Sequence, residues 1–196
     1  PPKVAPMQIV IVPIYRNEEG KNSVLPKVEE IQKKLESNDI RIHVDDREGL
    51  SPGYKFNDWE LKGVPLRIEI GPKDIENQKI VVAKRYNLEK IDLSFEEIEK
   101  IPLILDEIQV EMLKKAKEQA QNNTLEITDY LEFKSKIEKG GFFNSPWCGK
   151  LECEDKIKEE TGAEIRVIPF NSEDNTKECI YCKEPSTSIP IFARGY

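Results

Sequence analysis

Four cysteines provide the strongest chemical signal in this 196-residue sequence. They form two close pairs, Cys148 with Cys153 and Cys179 with Cys182. Two such pairs can bring four thiolates to one tetrahedral zinc ion, and a two-residue spacer lets one tight turn supply two ligands. Four thiolates leave no coordination position open for a substrate. The spacing therefore predicts a structural zinc site that contributes directly to folding.

Two other interpretations of these cysteines stay open. Cys179 and Cys182 have the spacing of a redox pair, but Lys-Glu-Pro follows where a redox motif would open a helix. All four could also be unrelated buried thiols, to which the pairing gives little support. The N-terminus lacks a signal-peptide pattern, and no apolar run reaches the ~20 residues of a membrane span. We therefore expect a cytoplasmic protein without membrane contact, where disulfides are rare.

The passage DDREGLSPGYKFNDWELKGVP, residues 45–65, is a second concentration of special residues. Its Pro-Gly turn signal allows a short helix to begin. On that helix Phe56, Trp59 and Glu60 stand at i, i+3 and i+4 and share one face. The simplest interpretation buries both aromatics and leaves Glu60 in solvent. For Trp59 we favour packing, because large aromatic side chains are mostly buried.

The segment that follows is basic, although the chain as a whole is acidic. Residues 62–85 carry six basic and three acidic side chains, whereas the full sequence has a formal net charge of -7. That acidity argues against nucleic-acid binding through the whole surface. An aromatic for stacking, a carboxylate for a base edge and cations for phosphates are nevertheless the components of single-stranded RNA recognition. The pattern permits a local RNA site, although a charge run is more often a solvated face.

The elements that would position these residues alternate between strand and helix. An apolar run at residues 8–14 is typical of a strand covered on both faces. A helical stripe follows, with Asn22 and Ser23 as candidate caps and Pro26 in its first turn. Further strands are predicted at residues 40–44, 66–70 and 79–84. The first ~100 residues therefore predict an α/β domain with a mixed sheet and a few helices.

The second half of the chain begins with a helical pattern at residues 102–121. Beyond it the patterns predict helices at residues 130–139 and 153–161 and a strand at residues 163–170. We therefore predict three segments: an α/β domain over residues 1–101, a connecting helix over residues 102–122, and a small α+β zinc-binding domain over residues 123–196.

Several stretches resemble the C-terminal part of prolyl-tRNA synthetases of the archaeal and eukaryotic type. These are LPKVEEIQKKL, DDRE, SPGYKFNDWELKGVPLRIEIGPKD, the cysteine pairs and the ending PIFARGY. They occur in the family's order over essentially the whole chain. The resemblance implies a class II anticodon-binding domain, with a mixed sheet of about five strands and flanking helices. A small zinc-binding C-terminal domain would follow it.

The resemblance also implies a partner, the anticodon loop of proline tRNA, whose second and third anticodon bases are guanines. A guanine presents N1–H and N2–H2 donors, which one carboxylate can accept together. This assigns Glu60 to base recognition and Phe56 to stacking. Lys84 or Arg85 would supply the cation.

The resemblance also implies roles for residues outside this proposed base contact. Arg67 and Lys73 are candidates either for phosphate contacts or for internal ion pairs. The family's zinc ligands carry over onto the two cysteine pairs. The C-terminal Tyr196 matches a family feature, and the tail is expected to reach toward the catalytic domain, although most last residues are simply frayed.

The reaction that the resemblance implies is ATP-dependent activation of proline and its transfer to tRNA. The sequence has no class II signature motif and no P-loop, and its single histidine, His43, falls on the polar face of a strand. We therefore expect no catalytic residue here, ATP only in an absent catalytic domain, and a homodimer only in the full-length enzyme. The start at Pro1 without Met indicates a fragment. Two alternatives are a free-standing zinc-stabilised RNA-binding or regulatory protein, and the tail of a bifunctional glutamyl-prolyl-tRNA synthetase.

Overall fold

The computed structural model describes residues 1–173 and 176–195. The chain divides into two compact units, Pro1–Lys115 and Ala116–Tyr196. A long helix, α4 (Ile101–Asn122), begins in the first unit and ends in the second. It coincides with the predicted connecting helix. The boundaries of the three predicted segments remain a prediction.

The first unit holds a five-stranded sheet with helices between its strands. Its strands are β1 (Ile9–Pro13), β2 (Ile42–Val44), β3 (Leu66–Ile70), β4 (Lys79–Lys84) and β5 (Lys90–Ser94). Its helices before α4 are α1 (Glu18–Glu36), α2 (Pro52–Leu61), α3 (Pro72–Glu76) and a 3-10 helix (Phe95–Lys100).

The sheet is mixed, with strand order β2-β1-β3-β4-β5. Strands β1, β2 and β3 run parallel, and β4 and β5 add antiparallel neighbours beyond β3. Strand β1 is buried along its full length, as its continuous apolar run predicts. The observed architecture confirms the predicted α/β fold with five strands.

The two faces of this sheet have different chemistry. Side chains alternate along each strand, so Ile9 and Ile11 lie on one face and Val10 and Val12 on the other. The first face packs against α1 and the start of α4 in the main apolar core. The second face is only partly covered, by a small cluster in which Phe56 of α2 joins Val10 and Val12. Polar side chains of β3 and β5 therefore remain on this face.

The structure corrects the predicted start of α1. Asn17, rather than Asn22 or Ser23, caps the helix, because its side chain accepts a hydrogen bond from the backbone N–H of Gly20. Pro26 consequently lies inside the helix and not in its first turn. Helix α3, β5 and the 3-10 helix are missing from the sequence prediction, because their apolar runs are short.

The second unit is built on a separate four-stranded sheet of order β6-β7-β9-β8. Its strands are β6 (Thr124–Glu126), β7 (Phe142–Asn144), β8 (Ala163–Val167) and β9 (Ile191–Arg194), and its helices are α5 (Tyr130–Ile137) and α6 (Leu151–Thr161). Phe133, Phe143 and Phe192 are fully buried at its centre, with edge-on ring contacts at 5.6 and 5.7 Å. These aromatic pairs order a core that is too small to rely on burial alone.

Among the described residues, no helix is both long and apolar enough to cross a membrane.

Candidate nucleic-acid interface and metal centre

Helix α2 places Phe56 against the partly covered face of the first sheet. The side chain of Ser51 accepts a hydrogen bond from the backbone N–H of Tyr54 and so begins the helix. Phe56 is half-buried, and the guanidinium carbon of Arg67 lies 4.0 Å from its ring centroid. The flat guanidinium therefore stacks on the ring as a cation–π pair.

Arg67 is the centre of an ion-pair cluster on this face. Its Nη1 donates to Glu60 at 2.6 Å, and its Nε and Nη2 donate to one oxygen of Glu69 at 3.1 and 2.9 Å. Lys90 of β5 donates to the other Glu69 oxygen at 3.0 Å. Only 9% of the Arg67 side chain is exposed. A cation this deeply buried needs such carboxylate partners.

Glu60 lies at the open edge of this cluster, near the C-terminal end of α2. Its Oε1 accepts from Arg67, and within residues 1–173 and 176–195 its Oε2 has no hydrogen-bond partner. Arg85 donates from Nε to the Glu60 backbone oxygen at 2.8 Å and so stabilises the end of the helix. A shallow pocket of about 120 Å³ opens beside these side chains, with Lys84 and Lys90 also in its wall.

Helix α2 is also held by a buried acid, through Trp59. Asp45 is fully buried at the end of β2 and accepts hydrogen bonds from Arg47 at 2.7 and 2.8 Å and from the Trp59 indole at 2.8 Å. Burial acts to raise the pKa of this carboxyl, but the hydrogen bonds from Arg47 and Trp59 outweigh it and hold the pKa well below its usual range. Trp59 is therefore a packing residue, as favoured from the sequence, and it anchors the helix that carries Glu60.

The four cysteines converge in the second unit. All four sulfur atoms lie within 4.8 Å of one another. The Sγ atom of Cys148 is 3.6 Å from that of Cys153 and 3.7 Å from that of Cys182. A tetrahedral zinc with Zn–S bonds of about 2.3 Å needs sulfur atoms about 3.8 Å apart. The donor set therefore fits a four-thiolate metal site, which contradicts the interpretation as four unrelated thiols.

Two turns and one helix deliver these sulfur atoms. Gly149 has φ +83°, a conformation that favours glycine, and lets the chain turn directly after Cys148 so that Cys153 falls in the first turn of α6. Burial acts to raise the pKa of Cys179, but hydrogen bonds from the backbone N–H groups of Cys182, Tyr181 and Cys148 outweigh it and lower the pKa. These N–H groups favour the thiolate, which is the form that binds metal.

Comparison with known proteins finds a matching family model in each of the two units. A family model described as "Anticodon binding domain" matches residues 8–103, and one described as "Prolyl-tRNA synthetase, C-terminal" matches residues 130–196. The proline–tRNA ligase of Acetoanaerobium sticklandii is 46% identical over 198 aligned residues, which cover 100% of this chain and 40% of that protein. The chain belongs to the prolyl-tRNA synthetase family. It corresponds to the C-terminal part of these enzymes.

Relatives occur in both bacteria and archaea. The protein named proline–tRNA ligase 2 of Clostridioides difficile is 43% identical, and the proline–tRNA ligase of the archaeon Cenarchaeum symbiosum is 44% identical. Each alignment covers the whole of this chain and 40% and 41% of the relative, respectively. The chain thus spans well under half the length of the prolyl-tRNA synthetases that it matches.

Five of the six predicted tRNA-binding residues come together on one face of the synthetase fragment, while one lies apart. Lys73 is exposed on α3 and is not part of the pocket wall. The members of the shared group are Phe56, Glu60, Arg67, Lys84 and Arg85. Within this group Lys84 is engaged by Glu89 at 2.9 Å. Tyr196 lies outside the described residues.

Two charged residues of this face, Glu69 and Lys90, are not indicated by the sequence patterns. Glu69 lies in a strand whose residues alternate in polarity, and this pattern predicts that its side chain faces solvent. In the structure the residue is only 8% exposed. Lys90 lies in β5, which the sequence did not predict. The cross-strand register places Lys90 opposite Ala83, which in turn lies opposite Arg67. Only that register brings both charges to the cluster.

Proposed function

We propose that this chain recognises the anticodon of proline tRNA as the C-terminal part of a prolyl-tRNA synthetase. The observation that carries the proposal is the carboxylate of Glu60 at the edge of a cationic pocket, with one oxygen held by Arg67 and the other unpaired among the described residues. The family models and the relatives support the same function.

Glu60 is suited to read a guanine. The Watson–Crick edge of guanine offers two adjacent N–H donors, and a carboxylate can accept both. Adenine presents an acceptor at N1, which a carboxylate would repel. A glutamate in this position would therefore select guanine over adenine.

Phe56 and Arg67 together provide a stacking surface. Arg67 lines the pocket and Phe56 does not, so a base that enters the pocket would meet the guanidinium plane, which the aromatic ring supports. Both are surfaces on which unpaired bases stack. Lys84, Lys90 and Arg85 would supply positive charge to the adjoining phosphates.

Zinc is the metal that the cysteine site would hold. The four thiolates of Cys148, Cys153, Cys179 and Cys182 would close its coordination shell, so the ion would stabilise the second unit and take no part in catalysis.

The chemical step belongs to the rest of the enzyme. We propose that activation of proline with ATP, transfer to tRNA and homodimer formation depend on a catalytic domain outside this chain, and that the enzyme acts in the cytoplasm. The full-chain match to proteins named proline–tRNA ligase favours this function over a free-standing regulatory protein.

The test is binding of the chain to an anticodon stem-loop of proline tRNA at low salt. Replacing the anticodon guanine that Glu60 reads by inosine, which lacks the 2-amino group, should weaken binding by about tenfold. Glu60→Gln should remove this preference. Glu76→Gln changes an exposed glutamate outside the pocket and serves as the matched control. Equal affinity of the unmodified chain for both stem-loops would reject base recognition.

A further inference from the structure

We infer that Glu69 is a positioning residue for base recognition, acting on Glu60 through Arg67. This inference rests on the proposed function and deepens it. Glu69 does not line the pocket, whereas Glu60 and Arg67 do. Its role would therefore be to fix the direction in which the base-reading carboxylate points.

Glu69 fixes Arg67 at two atoms. One Glu69 oxygen accepts from both Nε and Nη2 of Arg67, so the guanidinium can neither rotate about its long axis nor slide along the Phe56 ring without losing a hydrogen bond. Both residues lie on β3 two positions apart, which places their side chains on the same face of the sheet. The strand itself therefore sets the distance between them.

Arg67 in turn fixes Glu60. With Nε and Nη2 engaged by Glu69, the remaining nitrogen Nη1 faces α2 and donates to Oε1 of Glu60 at 2.6 Å. The Glu60 side chain is 37% exposed and holds this one ion pair among the described residues, so Arg67 is the described group that limits its rotation. A carboxylate held at one oxygen presents the other in a fixed direction, as recognition of a flat base edge requires.

Lys90 balances the charge of this arrangement. Its Nζ lies 2.8 Å from the Glu69 oxygen that Arg67 also contacts and donates to the other Glu69 oxygen at 3.0 Å. Glu69 thus pairs with two cations, which offset the cost of burying its carboxylate. A neutral side chain at position 69 would leave Arg67 with Glu60 as its only acid, and the guanidinium would follow Glu60 instead of directing it.

The experiment measures the preference for guanine over inosine in the stem-loop assay, using the 196-residue chain. We expect Glu69→Gln to reduce this preference by about tenfold, as loss of Glu60 would. In a chain that already carries Glu60→Gln, adding Glu69→Gln should change the preference by less than about twofold, because coupled residues are not additive. Asp92→Asn is the matched control, because it removes the same charge on the same sheet but, in the described part of the chain, breaks only an exposed pair with Lys79.

The outcomes separate this inference from the proposed function. If the unmodified chain prefers guanine and Glu69→Gln retains the full preference, the positioning role is wrong and the proposed function stands. A uniform loss of affinity for both stem-loops would also overturn it, because that result indicates a merely structural role. If the unmodified chain shows no preference, both are wrong. Should Glu69→Gln fail to fold by circular dichroism, Glu69→Asp keeps the charge but retracts it from Arg67, and a loss of about threefold is then expected.

Discussion

The buried carboxylate of Asp45 accepts a hydrogen bond of 2.8 Å from the indole nitrogen of Trp59. This contact ties α2 to the end of β2. Trp59 is the residue directly before Glu60 on the helix. Arg47 closes the arrangement by bonding both Asp45 and Asp58 of α2 at 2.7 Å. The helix that carries the proposed base-reading residue is therefore anchored beside its functional cluster, through Trp59 and Asp58.

Asp45→Asn should lower the free energy of unfolding of the first unit by about 3 kcal/mol, since it leaves the Arg47 and Lys55 cations beside a neutral buried group. Urea titration followed by circular dichroism measures the change. Asp58→Asn breaks a more exposed pair with the same arginine and should cost less than about 1 kcal/mol. Equal effects of the two substitutions would contradict the anchoring role of Asp45.

The contribution of Asp45 should also depend on pH. The folded-state pKa of Asp45 lies below its unfolded value of about 3.9, so its stabilisation is fully present at higher pH and is lost as pH falls toward the folded-state pKa. The stability difference between the unmodified chain and Asp45→Asn should be constant above about pH 5 and should shrink below about pH 4. A difference that grows in acid would show that another group controls it.

The sequence predicted local features of both sites. Phe56 and Glu60 share a helical face because α-helix geometry fixes the i, i+4 relationship within one element. The cysteine pairs could also be predicted, because the two ligands of each pair are close in sequence. The fold class followed from the long apolar run of β1 and the alternation of helices and strands.

The sequence did not predict the partners of Arg67. That Arg67 pairs with Glu60 and Glu69 depends on how α2 lies on the sheet and on the register of β3 with β4, neither of which a single element encodes. The predicted start of α1 was wrong for a different reason. Asn17 and Asn22 have the same capping chemistry, and only the local backbone decides between them.

Removing the metal should unfold the second unit and leave the first folded. Trp59 lies in the first unit and Trp147, next to the cysteine site, lies in the second. In a Trp59→Phe chain, fluorescence therefore reports Trp147 alone, and a chelator should shift its emission to longer wavelength as the residue becomes exposed. In a Trp147→Phe chain, the emission of Trp59 should not change. A chelator that has no effect on Trp147, or an absence of zinc after purification without chelator, would contradict the metal site.

Glu160 should control how fast the metal is lost. Its carboxylate accepts from Tyr181, which stands between Cys179 and Cys182, at 3.1 Å, and from Tyr130 and Lys134 of α5 at 3.1 and 2.9 Å. Glu160→Gln should speed zinc transfer to a coloured chelator by about tenfold, because outer residues of this kind hold ligands in place. Glu159→Gln alters the adjacent residue, which within residues 1–173 and 176–195 pairs only with Lys156, and should have no effect. Equal rates for all three chains would contradict the role of Glu160.

Lys73 should contact phosphate and not a base. It is exposed on α3 and forms no ion pair within the described part of the chain. The alternative role in an internal ion pair, which Arg67 fills, therefore does not apply to Lys73. Lys73→Ala should weaken binding of guanine and inosine stem-loops equally and should reduce the slope of log affinity against log salt by about 0.7–0.9, the value for one lost phosphate contact. Lys115→Ala, an exposed lysine on α4, serves as the control for net charge. An unchanged salt slope, or a loss confined to the guanine stem-loop, would contradict a phosphate contact.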